Sequence, residues 1–352
     1  MKEYILNSSP VRTSENYGIN DIKLNLDIPQ YKYFDNFSIY TEELNKIEVD
    51  IIESDVGQLK KLRSNIGLEF ENYSKIVIRI PENSTIEKPI VLDYLFDEDN
   101  NNLIDNIEIY LEKNSKASFI LHYCNELENE NFHHLKQVTV LGENAIADIT
   151  IANLINNNSK SFIAVENELK DGAFLTHRLI EIGGEYKISN YYSKMLGDNS
   201  TNELKSIYLG TDNDIIDINY NIEVLGKNAK CNIESQGALT GCSSKSFKGT
   251  IDFKKGASKA EGIENENCMI LSNKAKSKSL PMLLCHEEDV NGEHGISSGK
   301  LDENMIFYIM TKGISYDDAK RLIVKANFNG IIKSINNIEL ENEIYSVIEK
   351  YI

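Results

Sequence analysis

This 352-residue chain lacks most of the signatures that assign a function outright. It has no Cys-x-x-Cys pair, and its five cysteines, at 124, 231, 242, 268 and 285, are odd in number and scattered. Neither a closed zinc site nor a disulfide framework is expected, and the thiols read as reduced. No Gly-x-x-x-x-Gly-Lys-Ser/Thr stretch occurs, so ATP hydrolysis by a P-loop is not expected. Nowhere do eighteen apolar residues run together, so no membrane-spanning helix is expected. The opening stretch "MKEYILNSSPVRTSENYG" has no apolar core of signal-peptide length and no small-residue cleavage pattern. Basic runs with interleaved aromatics are missing too. With 37 basic against 55 acidic residues the net charge is −18, which disfavours nucleic acid and anionic membranes as partners. On these absences a soluble cytoplasmic protein is expected. At 41% hydrophobic and 26% charged, the chain can bury one large domain with appendages, or two domains.

The texture of the chain changes twice. Residues 1 to 75 mix loop, as in "PVRTSENYGIND", with segments such as "TEELNKIEVDIIESDVGQLKKLRSNIG" that suit short helices. From about Lys75 to Val290 one strand follows another. "KIVIRI", "PIVLDYLF", "ASFILHY", "QVTVLG" and "IIDINYNIEVLG" alternate apolar and polar residues and are rich in Ile and Val. After Lys300 the period becomes helical.

The strand region repeats. Corners of the form Asn/Gly followed by Ala/Ser recur at Asn114-Ser115, Asn144-Ala145, Gly172-Ala173, Asn228-Ala229 and Gly256-Ala257. Counted at the small residue, the steps are 30, 28, 56 and 28 residues, and the midpoint of the long step falls at Thr201 in "GDNSTNE". Gly, and next best Asn, tolerate the left-handed conformation of a sharp corner, and a small residue after it lets the chain turn close to the layer beneath. A period near 28 built of strands and corners suits coils stacked in a β-solenoid. A β-sandwich with hairpin turns is the alternative. A solenoid leaves open sheet edges at its ends, which must be capped or paired, so flanking segments or a partner are expected there.

The tail reads as helices. Asp302 suits an N-cap, Met305, Ile306, Ile309 and Met310 form an apolar stripe, and Gly313 sits where a left-handed C-cap belongs. Ser315 and Asp318 resemble a capping box, after which Ala319, Leu322, Ile323 and Ala326 share a face. A last helix would align Ile344, Val347, Ile348 and Tyr351. Such helices either pack back on the solenoid or offer a docking surface.

Ahead of the tail lies "LPMLLCHEEDVNGEHGISSGKLDE", where Cys285, His286, Glu293 and His294 stand among further carboxylates. Thiol, imidazole and carboxylate together suit iron or zinc, but a solvated acidic loop is the commoner reason for such a run. Nucleophilic catalysis by Cys285 lacks a Gly-rich turn or oxyanion signature around it. His122, His133, His134 and His177 fall in or beside strands and read as solvent-facing or satisfied core histidines.

The segment "DVNGEHGISSGKLDE", followed by "FY" and "KGIS", closely resembles the SufB/SufD family of iron–sulfur cluster assembly scaffolds, and "YSKIVIRIPENSTIEKPIVL" resembles that family's entry into its β-helix. Within the family, Glu293-His294-Gly295 is similar to the SufD-like pattern, although Gly292 stands where SufD-like chains often have a cysteine. The resemblance implies a mainly β fold: a right-handed parallel β-helix over 76–298, a mixed and helical N-terminal segment over 1–75, and a C-terminal helical region over 299–352. It implies a non-enzymatic scaffold that pairs with a SufB-like paralogue, or with itself when alone. A SufC-type ABC ATPase would dock on the tail, for which Ile306, Phe307, Tyr308, Met310, Leu322 and Ile323 are the candidates. No cofactor is expected to be held stably by this chain alone. An iron–sulfur cluster would form transiently in the assembled complex, with His294 as the candidate ligand and Cys285, His286 and Glu293 behind it; flavin is compatible with this. The competing reading is a carbohydrate-active β-helix lyase or hydrolase, since fold alone does not decide function. Such an enzyme needs a lateral cleft of acidic and basic residues, whereas the polar groups here concentrate near the C-terminal end.

Overall fold

Two nine-stranded sheets face each other across a common core, and from Asn72 on the chain alternates between them strand by strand. The computed structural model describes residues 2–13, 17–56, 63–64 and 66–352. One sheet stacks β6 (Ile90–Phe96), β8 (Lys116–Asn125), β10 (Ile146–Asn153), β12 (Phe174–Ile182), β14 (Thr201–Gly210), β16 (Lys230–Leu239), β18 (Ala260–Ile270) and β20 (Val290–Lys300). The other stacks β5 (Asn72–Ile80), β7 (Asn102–Leu111), β9 (Phe132–Leu141), β11 (Lys160–Leu169), β13 (Tyr186–Met195), β15 (Ile215–Val224), β17 (Ser244–Phe253) and β19 (Lys276–Cys285). Neighbours in each stack pair parallel, as in β11 with β9 and β13. The result is a parallel β-solenoid of about 8 turns, as the corner repeat suggested.

The corners form where the repeat placed them. Asn114, Asn144, Gly172, Asn228 and Gly256 all have positive φ, and Ser115, Ala145, Ala173, Ala229 and Ala257 behind them are buried. The degenerate corner lies at Asn199-Ser200, one residue before the midpoint estimate, because individual coils differ in length by a residue or two. The asparagines also stack: Asn114 Nδ2 donates to Asn83 Oδ1 at 2.9 Å, and Asn144 Nδ2 to Asn114 Oδ1 at 3.2 Å. Gly172 continues that column without a side chain, and a Cβ there would lie 2.3 Å from Asn144 Oδ1.

Parallel sheets need both faces covered. The inner faces meet in an apolar core of stacked Ile, Leu, Tyr and Phe. On the odd-numbered sheet the outer face is covered by the N-terminal segment, where β1 (Lys2–Leu6) and β2 (Ile22–Leu26) form an antiparallel pair that lays Leu6, Leu24 and Leu26 over Phe162, Ala164 and Ile188. Asn7 is pinned there by its side chain: its Nδ2 donates to Ser189 O at 3.0 Å and to Asp217 Oδ1 at 2.7 Å. Buried Lys248 donates to Asn7 O at 2.8 Å and to Asp217 Oδ1 at 2.7 Å.

The helices expected in the N-terminal segment are a correction. Among the described residues it holds only 3-10 structure, at Tyr17 and at Leu44–Lys46, and part of the stretch read as helical becomes β4 (Glu48–Val56). The part of that expectation covering 57–62 and 65 lies outside the described residues. β4 pairs antiparallel with β5, and β3 (Phe37–Tyr40) pairs antiparallel with β6. The physical reason is the open edge of the first coil. Its unmet backbone donors and acceptors recruit an extended partner, which outweighs the modest helical preference of a Glu- and Asp-containing segment.

On the even-numbered sheet, helices do the covering. α2 (Tyr316–Lys333) and α3 (Ile338–Tyr351) lay Val324, Phe328, Ile332, Ile344 and Ile348 over Ala152, Ile180, Ile207 and Leu209. The cap of α2 matches expectation, with Ser315 Oγ accepting from Asp318 N at 3.1 Å; at α3, Asn337 Oδ1 accepts from Leu340 N at 3.0 Å. α1 (Glu303–Met310) is capped by Asp302, which accepts from Asn304 N at 2.9 Å, and Gly313 follows at φ +86.

Candidate functional site

The solenoid's two ends differ. At the N-terminal end, the antiparallel β3 and β4 flank the first parallel strands. At the C-terminal end, β19 and β20 are the outermost strands of their sheets, and β20 is exposed along most of its length. His294 sits in the middle of β20, in register with Glu264 on β18. Strand alternation puts it on the inward side with Gly292, whose Cα carries no side chain against Phe253 and Leu283. With no further coil above it, the imidazole is exposed. Glu293 alternates to the opposite side and is exposed, opposite Ile263.

Beneath His294 the interior turns polar. The column through Ile149, His177, Leu204 and Ile233 ends in Glu264 and His294, while the next runs Leu179, Ser206, Ser235, Glu266 and Ile296. Glu264 is fully buried, and neither carboxylate oxygen has a hydrogen-bond partner. Burial first, and the neighbouring Glu266 second, push its carboxyl up to about 8. It is therefore mostly protonated at neutral pH. Glu266 is fully bonded by contrast: Lys245 Nζ donates to it at 2.6 Å, Ser279 Oγ donates at 2.9 Å, and Tyr208 OH donates as well. Cys268 lies on the same inward column as Ser298, and burial raises its thiol pKa. The edge thus places an accessible imidazole over a neutral buried acid and a buried ion pair. An imidazole there can ligate a metal.

The remaining residues of the loop do not gather around His294. Cys285 ends β19 and is exposed. His286 follows it, with Nε2 3.6 Å from Asp252 Oδ1. Glu287 and Glu288 stay in the turn, where Glu287 accepts from Gly256 N at 2.9 Å. Among the described residues, no group of three metal-type donors within 4.8 Å of one another includes Cys285, His286, Glu293 or His294.

Such a group exists elsewhere, around His122, whose strand pattern suggested a solvent-facing or satisfied core histidine. Asp93 on β6 is in register with His122 on β8, and Cys124 lies two residues further along the same face. The three donor atoms lie within 4.8 Å of one another. His122 Nδ1 is 2.8 Å from Asp93 Oδ1, and Nε2 is 3.1 Å from Glu343 Oε1 on α3. Burial opposes a charge on this ring, but the two carboxylate hydrogen bonds outweigh it and raise its pKa to about 9. The signal was in the sequence: Asp93 and His122 are one repeat apart, and a solenoid stacks residues one repeat apart.

The tail presents a second surface. Phe307 and Tyr308 on α1 are 69% and 62% exposed, and Met305, Met310 and Leu322 are exposed beside them in sequence. Ile306, by contrast, is 1% exposed and drops out of the docking set, and Ile323 is half-buried. Of the expected face Ala319-Leu322-Ile323-Ala326 only Ala319 is buried, and that face is not the one laid on the sheet. Val324, Phe328, Ile331 and Ile332 make that contact, so the helix is apolar on two sides and only one is covered.

Comparison with known proteins places this architecture. Residues 94–327 match the family described as SUF system FeS cluster assembly, SufBD core domain. The chain is 22% identical over 274 residues to the iron–sulfur cluster assembly protein SufD of Bacillus subtilis, covering 77% of this chain and 62% of that protein. Against SufD of Escherichia coli it is 24% identical over 240 residues, 66% of this chain and 55% of that protein. The SufBD family protein ycf24 of Antithamnion sp. is 29% identical over 245 residues, 65% of this chain and 79% of that protein. The chain thus spans less than two thirds of the length of both SufD relatives. No helix among the described residues is long and apolar enough to cross a membrane.

Proposed function

The chain belongs to the SufB/SufD family of iron–sulfur cluster assembly proteins, most similar to SufD, and from that premise we propose that it is a non-enzymatic scaffold subunit of a cluster assembly complex. The observation that carries the reading is the open C-terminal edge, where His294 stands exposed on the last strand over the buried, neutral Glu264. A sheet edge with unpaired backbone groups is a template for another strand. A SufB-like partner completes it, its own last strands continuing the two sheets. His294 then faces the joint, where a partner thiolate or carboxylate and the imidazole together hold the nascent cluster as cargo. This division explains why no cysteine cluster is needed in this chain.

The ATPase reading rests on α1 and the first half of α2. Their exposed Phe307, Tyr308, Met310 and Leu322 make an aromatic-rich apolar patch of the kind that anchors protein interfaces. A SufC-type ATPase docked there sits on α1 and on α2, whose other face grips the solenoid, so nucleotide-driven movement of the ATPase is transmitted through α2 to the sheet.

The test uses the chain assembled with a SufB-like partner and a SufC-type ATPase. His294→Ala is expected to abolish cluster formation while complex yield and ATPase activity stay unchanged; normal cluster yield would return His294 to a packing role. Phe307→Ala with Tyr308→Ala is expected to lose the ATPase from the complex but keep the SufB-like partner. Retention of the ATPase at full yield would refute the docking surface. Truncation after Ser298 is the poorer experiment, because it also strips α2 and α3 from the sheet they cover.

A further inference from the structure

We infer that Asp93, His122 and Cys124 bind one divalent transition-metal ion of the zinc and ferrous class, with Glu343 orienting the imidazole from α3. The three donors are brought together by a parallel strand pair in fixed register: Asp93 faces His122, and Cys124 is the next residue on that face. Their donor atoms already lie within 4.8 Å of one another. A thiol, an imidazole and a carboxylate form a mixed sulfur, nitrogen and oxygen set, which selects Zn2+, Fe2+ or Co2+ over the all-oxygen preference of Mg2+ and Ca2+.

The histidine is arranged as metal-bound histidines are. Nδ1 lies 2.8 Å from Asp93 Oδ1, so an ion entering between them takes the place of the proton there, while Nε2 lies 3.1 Å from Glu343 Oε1. A carboxylate on the far nitrogen fixes tautomer and ring orientation, and this support is a regular feature of metal-ligating histidines. Glu343 is therefore a positioning residue. Three protein donors leave a coordination position for water or an incoming ligand. A cleft of about 470 Å³ lined by Asp93, His122, Lys88, Asn337 and Glu343 supplies an entry path.

The site is independent of the proposed cluster edge. In the even-numbered sheet, β8 and β20 are separated by five strands, a distance of roughly 29 Å at the usual strand spacing. Because Glu343 belongs to α3, an ion here fastens the tail to the solenoid. Its failure or success says nothing about His294.

Full-length protein, reduced and stripped with a chelator, is titrated with Co2+ as the spectroscopic probe. One Co2+ per chain is expected, with thiolate-to-metal absorption in the near ultraviolet. Cys124→Ser, nearly isosteric, should remove that absorption. His122→Ala should weaken Co2+ by at least about 100-fold, and Glu343→Gln by about 10-fold with the thiolate absorption kept. Cys285→Ser and His294→Ala should change neither. Anaerobic competition then ranks Zn2+ against Fe2+, and displacement by either supports the site. Thiolate absorption that is absent in the parent protein, or that persists in Cys124→Ser, overturns it, as does equal competition by Mg2+.

Discussion

Replacing Glu264 by glutamine should stabilise this protein, and should do so increasingly as pH rises. The carboxyl is fully buried with both oxygens unbonded, and burial together with Glu266 holds it at about 8 against an ordinary 4.5. Between those two values the native state keeps a proton that the unfolded chain has released. Native binds more protons than unfolded, so stability falls as pH rises from about 4.5 to about 8 and levels off above that. At pH 7 the group costs about 3 kcal/mol, being roughly 2.5 pH units above its unfolded value at 1.36 kcal/mol per unit. Glutamine cannot ionise and escapes this cost, but its unbonded amide gives back about 1 kcal/mol. The expected net gain is about 2 kcal/mol at pH 7 and near zero at pH 5. Urea unfolding of both proteins at pH 5, 6, 7 and 8 reads the difference directly. A difference that does not change with pH would refute the reasoning, since it would mean that Glu264 is not protonated on folding.

Three further outcomes follow from the packing. Phe328→Ala removes a fully buried ring between α2 and the even-numbered sheet and should cost about 3–5 kcal/mol; amide exchange in α2 and α3 should accelerate more than in β12 to β16. Gly172→Ala, at φ +65 and with its Cβ 2.3 Å from Asn144 Oδ1, should cost about 1–3 kcal/mol in a urea midpoint measurement. Adding Asn144→Gly should restore part of that loss. Lys248→Met leaves Asp217 buried without its cation and cuts the bond to Asn7 O, so a loss of about 3–5 kcal/mol is expected. Limited proteolysis should then release the segment around Asn7 first, and a segment as resistant as in the parent would refute the anchoring role.

The solenoid is legible in the sequence because its determinants are local and repeat. A left-handed corner needs Asn or Gly, and a small residue must follow it. Such pairs mark Asn114, Asn144, Gly172, Asn228 and Gly256, and all five adopt positive φ. The helix caps at Asp302, Ser315 and Gly313 are readable for the same reason. What depends on the third dimension is not. Whether residues 48–56 became helix or strand was decided by the unpaired edge of the first coil, which no local propensity encodes. Which of two apolar faces of α2 is buried depended on the sheet it meets, and so Val324 and Phe328 went inside while Leu322 stayed out. His122 and Cys124 lie 29 and 31 residues beyond Asp93, and only the register of stacked coils makes the three neighbours. The buried acid beneath His294 is equally hidden, because an exposed histidine and a glutamate 30 residues before it acquire their relation only when β20 is laid beside β18.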